Sequence, residues 1–244
     1  MNKTVLILGG NSDIGIAIAE YFVSKNYNIQ LAARNLLNKN SKIFDLKSKY
    51  DSKISIYEFD ILDEYNNKKF IENLSILPEI VICVVGYMGV QNISQINQKE
   101  RTLIIKTNFE GPVNILSDFA NMFEKKRSGT IVGISSVAGE RGRVSNYIYG
   151  SSKSGFTSFL SGLRNRLAKK NVHVVTVLPG PVKTKMTQDV KLPKFLTSST
   201  EEVAKKVYQA VINRKDVIYV KSIWKYLIFI VKIIPEKIFK YLNL

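Results

Sequence analysis

Residues 3–23 read KTVLILGGNSDIGIAIAEYFV. The first six residues form a short apolar run with β-branched content, as in a buried strand, and residues 16–23 are apolar at helical spacing. Between them lies the turn Gly9-Gly10-Asn11-Ser12-Asp13-Ile14-Gly15. Strand, glycine turn and helix in this order predict one unit of an α/β fold whose turn receives a phosphate. Gly9 lets the chain turn tightly. Gly15 removes a side chain where the helix start must approach both the strand and a bound pyrophosphate.

Moving outward, the alternation continues. A second strand, Asn28–Ala33, ends in Arg34-Asn35, and helical material follows to about Tyr50. Lys53–Phe59 alternates as a third strand ending at Asp60, ahead of a helix that begins near Asp63. Glu79–Val85 is a continuous apolar run closed by Gly86, the pattern of a strand buried on both faces of a parallel sheet. Residues 94–127 read as helix with a break around Gly111-Pro112, and Asn108 sits just before it, as a local cap or an inward-pointing polar group. Gly129–Ile134 is a fifth strand running into Ser135-Ser136. A helix from Tyr147 to about Lys170, a sixth strand Val172–Leu178, the turn Pro179-Gly180-Pro181 and a last strand Asp216–Val220 complete the series. Alternating strands and helices without repeats predict an α/β, Rossmann-like doubly wound parallel sheet. The expected organisation is a single domain over residues 1–220 with a C-terminal amphipathic extension over residues 221–244.

Composition narrows the function classes. With 244 residues, 45% of them apolar, the chain can bury one substantial core. Its single cysteine, Cys83, cannot form an internal disulfide, which suits a reducing compartment, and no cysteine–histidine cluster has metal-ligand spacing, so no metal is expected. The apolar run at the N-terminus reaches glycines too soon to form a signal-peptide core. Against 20 acidic residues stand 36 basic ones, a net charge of +16 that predicts attraction to a nucleotide, a phospholipid surface or nucleic acid. No recognisable nucleic-acid module is present, so nucleic acid is not an expected partner. The only histidine, His173, opens the sixth strand far from the other polar motifs and reads as structural.

Several residues carry chemistry. Arg34 follows the second strand, where an acidic side chain would accept from a ribose 2′-hydroxyl and an arginine pairs with a 2′-phosphate; it favours NADP(H) over NAD(H), with an exposed loop arginine as the alternative. Asp60 accepts from an adenine amino group or caps the following helix. Tyr149 and Lys153 stand four apart, on one face of a helix, behind Ser136. A free tyrosine ionises near about 10, so bringing it to neutrality takes about 4 kcal/mol, which a lysine charge about 4 Å away supplies at an effective dielectric of about 20.

Together these motifs resemble the short-chain dehydrogenase/reductase family over about residues 3–220: Gly9 and Gly15, Asp60, Asn108, Ser136, Tyr149-x-x-x-Lys153 and Pro179-Gly180, in that order. The resemblance implies a nicotinamide-dependent oxidoreductase. In it Tyr149 is the general acid or base, Lys153 lowers the tyrosine pKa and holds the nicotinamide ribose, Ser136 orients the substrate oxygen, and Asn108 anchors a water that leads protons to the lysine. It further implies cofactor contacts at Gly9, Asn11, Ser12, Ile14, Gly15, Arg34, Asp60, Gly86, Pro179, Gly180, Val182 and Thr184, the last bonding the nicotinamide amide. Two departures stand out. Asp13 replaces the middle glycine of the turn, where it faces away from phosphate or caps the helix, and Cys83-Val84-Val85-Gly86 replaces a segment that normally carries two asparagines bracing the sheet. The glycine turn and Ser135-Ser136-Val137-Ala138-Gly139-Glu140-Arg141-Gly142-Arg143 are similar to a branch containing decaprenylphosphoryl-2-keto-ribose reductases and related cell-envelope enzymes. That likeness implies a ketose on a lipid phosphate carrier, with Arg141 and Arg143 receiving the phosphate; exposed loop arginines are the alternative. A nucleotide-binding regulator or membrane scaffold that kept the fold without the activity is the alternative from another class.

The tail, SIWKYLIFIVKIIPEKIFKYLNL, mixes aromatic and aliphatic residues with lysines. Its apolar runs are too short to span a bilayer, and the composition suits a helix lying in an anionic membrane interface and broken at Pro235, or else a segment packed on the domain or on a partner subunit. A homo-oligomer is expected, in the cytoplasm, at the inner face of the membrane if the tail binds lipid.

Overall fold

The structure, a computed structural model, describes residues 3–36, 42–187, 193 and 195–242. Seven strands, β1 (Thr4–Leu8), β2 (Asn28–Ala33), β3 (Ile54–Glu58), β4 (Ile80–Cys83), β5 (Gly129–Ile134), β6 (Val172–Leu178) and β7 (Val217–Tyr219), form one sheet of order β3-β2-β1-β4-β5-β6-β7. Every neighbouring pair is parallel. The strand order reverses between β1 and β4, which opens a crevice at their carboxyl ends, where ligands of such sheets bind.

Ten helices are described: α1 (Asp13–Ser24), α2 (Lys42–Lys49), α3 (Glu64–Glu72), α4 (Gln91–Ser94), α5 (Gln98–Ile105), α6 (Gly111–Lys126), α7 (Tyr147–Leu167), α8 (Thr200–Ile212), α9 (Ile223–Ile233) and α10 (Glu236–Phe239). They cover both faces of the sheet, and strand alternation divides the core between them. Val5 and Ile7 of β1 point to the layer built with Ile18 and Phe22 of α1 and Val203 and Val207 of α8. Leu6 and Leu8 point to the layer built with Phe119 and Phe123 of α6 and Phe156 and Leu160 of α7. β1, β4 and β6 are buried at every position, as continuous apolar runs require.

One local expectation is corrected, and of two pairs of alternatives the capping one falls away. The helix over 94–127 does not break at Gly111-Pro112; a π-helical turn, Lys106–Glu110, joins α5 to α6 and holds Asn108. There the Gly111 amide bonds back to the Lys106 carbonyl, and Pro112 enters the first turn of α6, where its missing N–H leaves no gap. Asp13 does not cap α1: Ser12 does, its hydroxyl accepting from the Gly15 amide at 3.0 Å. Nor does Asp60 cap α3, whose cap is Asp63, accepting from the Asn66 amide at 3.1 Å. Helices α4 and α8 have no counterpart in the sequence reading, although Ser199 and Glu202 form a reciprocal capping box at the start of α8.

Beyond β7 the chain returns over the carboxyl end of the sheet. Trp224 and Ile228 of α9 form a small apolar cluster with Val137 and Leu178, and the chain bends at Ile234-Pro235 into α10.

Candidate active site

The site collects at the carboxyl ends of β1, β4, β5 and β6. The glycine turn after β1 closes on itself. Ser12 donates to the Gly9 carbonyl at 2.8 Å while capping α1, and a Cβ on Gly15 would stand 2.6 Å from that same carbonyl. Gly9 has φ of +88° and lies against the Val85 backbone, a conformation that favours glycine. The Gly15 amide is taken by Ser12, and the start of α1 carries the positive end of the helix dipole. Asp13 turns aside: its carboxylate pairs with Lys42 at 2.7 Å and accepts from the Lys185 amide at 3.0 Å. The Lys42 hydrogen bond is the main reason its pKa is lowered. Asp13 therefore ties the segment after β6 to the start of α1.

Arg34 and Asp60 leave adjacent strands and meet in an ion pair of 3.8 Å, with the arginine side chain 59% exposed. Asp60 also accepts from the Leu62 amide at 3.0 Å. Val182 is buried and bridges to Ser198, and the Thr184 hydroxyl donates to the Val182 carbonyl at 3.3 Å, so this segment is held against the stretch leading into α8. Gly180 packs against the C-terminal tail. A Cβ there would lie 2.0 Å from the Trp224 indole nitrogen, so the glycine makes room for the tail.

Lys153 reaches the heart of the site from α7. Buried to 3% exposure, it donates to the Ile134 carbonyl at 3.1 Å, and its ammonium lies 5.9 Å from the centre of the Tyr149 ring. Burial pulls its pKa down to about 8. Ser135, unassigned by the sequence reading, locks α7 to β5 by donating to the Lys153 carbonyl at 3.0 Å and sharing a hydrogen bond of 2.7 Å with Thr157. Its place beside Ser136 at a strand end was the available signal. Cys83 lies close enough to sense the lysine charge, and burial pushes its thiol up to about 11.

Tyr149 corrects an expectation about electrostatics. Burial pushes its pKa up to about 12, and the opposing influence is the Ser136 hydrogen bond, not Lys153. Desolvation of the phenolate dominates, so at neutral pH the phenol holds its proton. Ser136 also accepts from the Ala138 amide at 3.1 Å, which aims its hydroxyl toward the tyrosine.

Asn108 is fully buried, and its amide is spent on backbone. Its nitrogen donates to the Tyr87 carbonyl at 2.6 Å and to the Ile104 carbonyl at 2.8 Å, and its oxygen accepts from the Tyr87 amide at 3.1 Å. Both donors of its side chain are thereby used in fixing the segment after β4. Gly86 lies between: a Cβ there would approach the Asn108 amide oxygen to 3.3 Å and the Lys153 nitrogen to 3.5 Å.

The two arginines expected to receive a phosphate part company. Arg141 is committed to the tail. It donates to the carbonyls of Val231 and, at 2.7 Å, Ile234, pairs with Glu236 at 2.9 Å, and stacks 3.6 Å from the centre of the Phe239 ring. It is thus a cap for the end of α9, not an arginine open to a phosphate. Arg143 has no ion pair among the described residues; its Nε is buried without a hydrogen bond, and burial lowers its pKa. Both arginines border a cavity of about 240 Å³ whose other walls are Trp224, Leu227, Ile228, Ile230 and Val231. Two more buried polar atoms lack partners nearby, Gln91 Nε2 and Asn146 Oδ1, at the start of α7; Gln91 also accepts from the Ile148 amide at 3.3 Å.

Residues 3–194 match the family model for short chain dehydrogenases. A 3-oxoacyl-[acyl-carrier-protein] reductase of Chlamydia muridarum is 29% identical over 195 residues, 77% of either chain. An uncharacterised oxidoreductase of Mycobacterium tuberculosis is 27% identical over 239 residues, 97% of this chain and 95% of that one. Among solved structures, a short chain dehydrogenase from Burkholderia cenocepacia in complex with NADP superposes with a TM-score of 0.81 at 17% identity, covering 95% of this chain and 93% of the other.

Proposed function

The chain belongs to the short-chain dehydrogenase family and is an oxidoreductase, and from that premise we propose that it uses NADP(H) to reduce a ketone to an alcohol, with Tyr149 as the general acid. The observation that carries this reading is the convergence of the Tyr149 phenol, the Ser136 hydroxyl and the Lys153 ammonium behind Gly86.

The crevice suits a dinucleotide. Gly9 and Gly15 keep side chains out of the turn at the start of α1, a position that favours anions. Arg34, restrained by a single loose ion pair, can turn to a 2′-phosphate, which favours NADP(H) over NAD(H). When bound, the nicotinamide supplies the hydride. Tyr149, protonated at neutral pH, gives its proton to the carbonyl oxygen, and Ser136 holds that oxygen in line. Lys153, charged below a pH of about 8, is held beside the tyrosine by its bond to the Ile134 carbonyl and stands where it can hold the nicotinamide ribose. Asn108 acts by position: with its amide spent on the segment after β4, it keeps Gly86 and Lys153 in place.

We read the substrate as a ketone carrying an anionic group beside an apolar part, such as a keto sugar on a lipid phosphate carrier. Arg143 supports this, because a partly buried guanidinium without a counter-charge is costly until an anion pairs with it. The cavity beside it accommodates a headgroup or a short chain rather than a whole lipid. A 3-oxoacyl thioester is the second reading, favoured by the name of the Chlamydia muridarum relative and by the apolar cavity walls.

The test is NADPH oxidation by the full chain with lipid-linked keto sugars and 3-oxoacyl thioesters. Wild type should turn over one of the two classes, and Tyr149→Phe should lose about 100- to 10,000-fold in kcat while still binding NADPH. Arg143→Met should raise KM for the phosphate-bearing ketone and leave a neutral ketone unaffected. Undiminished turnover by Tyr149→Phe would refute the mechanism, and equal KM changes on both ketones would remove the anion-binding role.

A further inference from the structure

Helix α9 carries two apolar stripes of identical spacing. Trp224, Leu227, Ile228 and Val231, at i, i+3, i+4 and i+7, face inward and either join the Val137–Leu178 cluster or wall the cavity. Tyr226, Phe229, Ile230 and Ile233 repeat the same spacing on the outward side and are 54–67% exposed. Apolar stripes on both sides of a helix call for burial on both sides, and here one is covered by the domain and the other by nothing among the described residues. Beyond the bend the patch continues through Ile238 and Tyr241, both exposed.

The charges around the outward stripe are of one sign. Lys225, Lys237 and Lys240 are exposed and make no ion pair among the described residues, whereas Glu236 is taken by Arg141 and Lys232 by Glu140. A second copy docked symmetrically would bring these lysines against their own equivalents, and like charges across an interface repel. At 11 residues, α9 is about 16 Å long, and no described helix is long and apolar enough to cross a membrane. An apolar stripe flanked by unpaired lysines on a helix too short to span matches the chemistry of an anionic lipid surface.

We infer that the outward face of α9 and α10 docks this protein on an anionic bilayer, with α9 lying in the interface plane. Ile230 belongs to both surfaces, being exposed on the outward stripe and a wall of the cavity, so the bilayer and the cavity beside Arg143 meet across one helix. The docking stands on the surface alone and not on the reaction assigned above.

Co-sedimentation of the full chain with phosphatidylcholine vesicles, with and without phosphatidylglycerol, tests it. Wild type should sediment with the anionic vesicles only and be released by salt. Phe229→Asp with Ile233→Asp should abolish the binding, and Lys225→Gln with Lys237→Gln and Lys240→Gln should weaken it about 100-fold. Fluorescence of Trp224, the only tryptophan, should be unchanged in both variants, showing that the inward face is still packed. Wild type left in the supernatant, or variants that bind as well as wild type, would overturn the inference. So would a stable dimer that Phe229→Asp dissociates without any vesicle binding, which would give the stripe to a second copy.

Discussion

Gly15 and Gly180 both stand at turns beyond the carboxyl ends of strands, and both are glycines because a Cβ would collide. At Gly15 the obstacle is the Gly9 carbonyl, six residues back and within the same turn. At Gly180 it is the Trp224 indole, 44 residues ahead and on a helix added after the last strand. The first turn is therefore a local object that stands whenever β1 and α1 form. The second exists only with the tail in place. Val137, the residue after Ser136, packs in the same cluster as Trp224, so the tail packs directly on the segment that carries Ser136.

That contrast can be broken from either side. Gly180→Ala should have the largest effect, because Trp224 must leave its place. The tail should lose about 3–5 kcal/mol of docking energy, seen as a red shift of the single tryptophan and rapid proteolysis after β7, with NADPH binding retained. A tryptophan spectrum identical to wild type would show that the two regions are not coupled as described.

Lys153→Met lies between the two turns and should disturb neither. The lysine is held near about 8 against an ordinary 10.5, so below pH 8 the folded protein carries a buried charge that the unfolded chain solvates freely. The unfolded state binds more protons between those values, and wild-type stability on this account rises as pH climbs from 8 toward 10.5. The variant should be more stable at pH 7 by about 2 kcal/mol, being about 3 kcal/mol of relieved desolvation less about 1 kcal/mol for the lost bond to Ile134. Its advantage should fade toward pH 10.5 in parallel denaturation curves.

Gly15→Ala is the counterpart to Gly180→Ala. Overpacking of the turn should cost about 1–3 kcal/mol in NADPH affinity by titration, with the Trp224 spectrum unchanged. Ser12→Ala should be mildest, about 1 kcal/mol of stability from the lost cap of α1, measured by thermal melting. Should Ser12→Ala instead move the tryptophan signal, the glycine turn would not be the self-contained unit it looks.

How much was legible follows the same line. The seven strands and the glycine turn lie within short windows whose apolar spacing and special backbone angles depend on nearest neighbours, whereas the order β3-β2-β1-β4-β5-β6-β7 does not. Tyr149 and Lys153 were legible because helical spacing alone places them together. Helix α8 was legible in principle through its capping box and its apolar spacing. The π-turn around Asn108 was not, because a glycine and a proline read as a break unless one knows that the Gly111 amide finds the Lys106 carbonyl and that Gly111 packs on Ile61. The direction of the Tyr149 pKa was not legible for a related reason: a lysine four residues on predicts a charge nearby, but the burial that raises the pKa comes from the whole surrounding fold.

Arg141 and Arg143 show where the boundary falls. They are two residues apart and alike in type, and nothing in their local pattern separates them. One is consumed by carbonyls 90 and 93 residues later, and the other is left beside a cavity without a counter-charge. The amino-acid sequence by itself determined the strands of a parallel sheet, the glycine turn and the placing of Tyr149 and Lys153 on one helix face, since each follows from short-range periodicity and backbone geometry. Only the tertiary structure decided which arginine is left without a counter-charge and which face of the tail is left bare. Both depend on how a helix more than 80 residues away closes over the site.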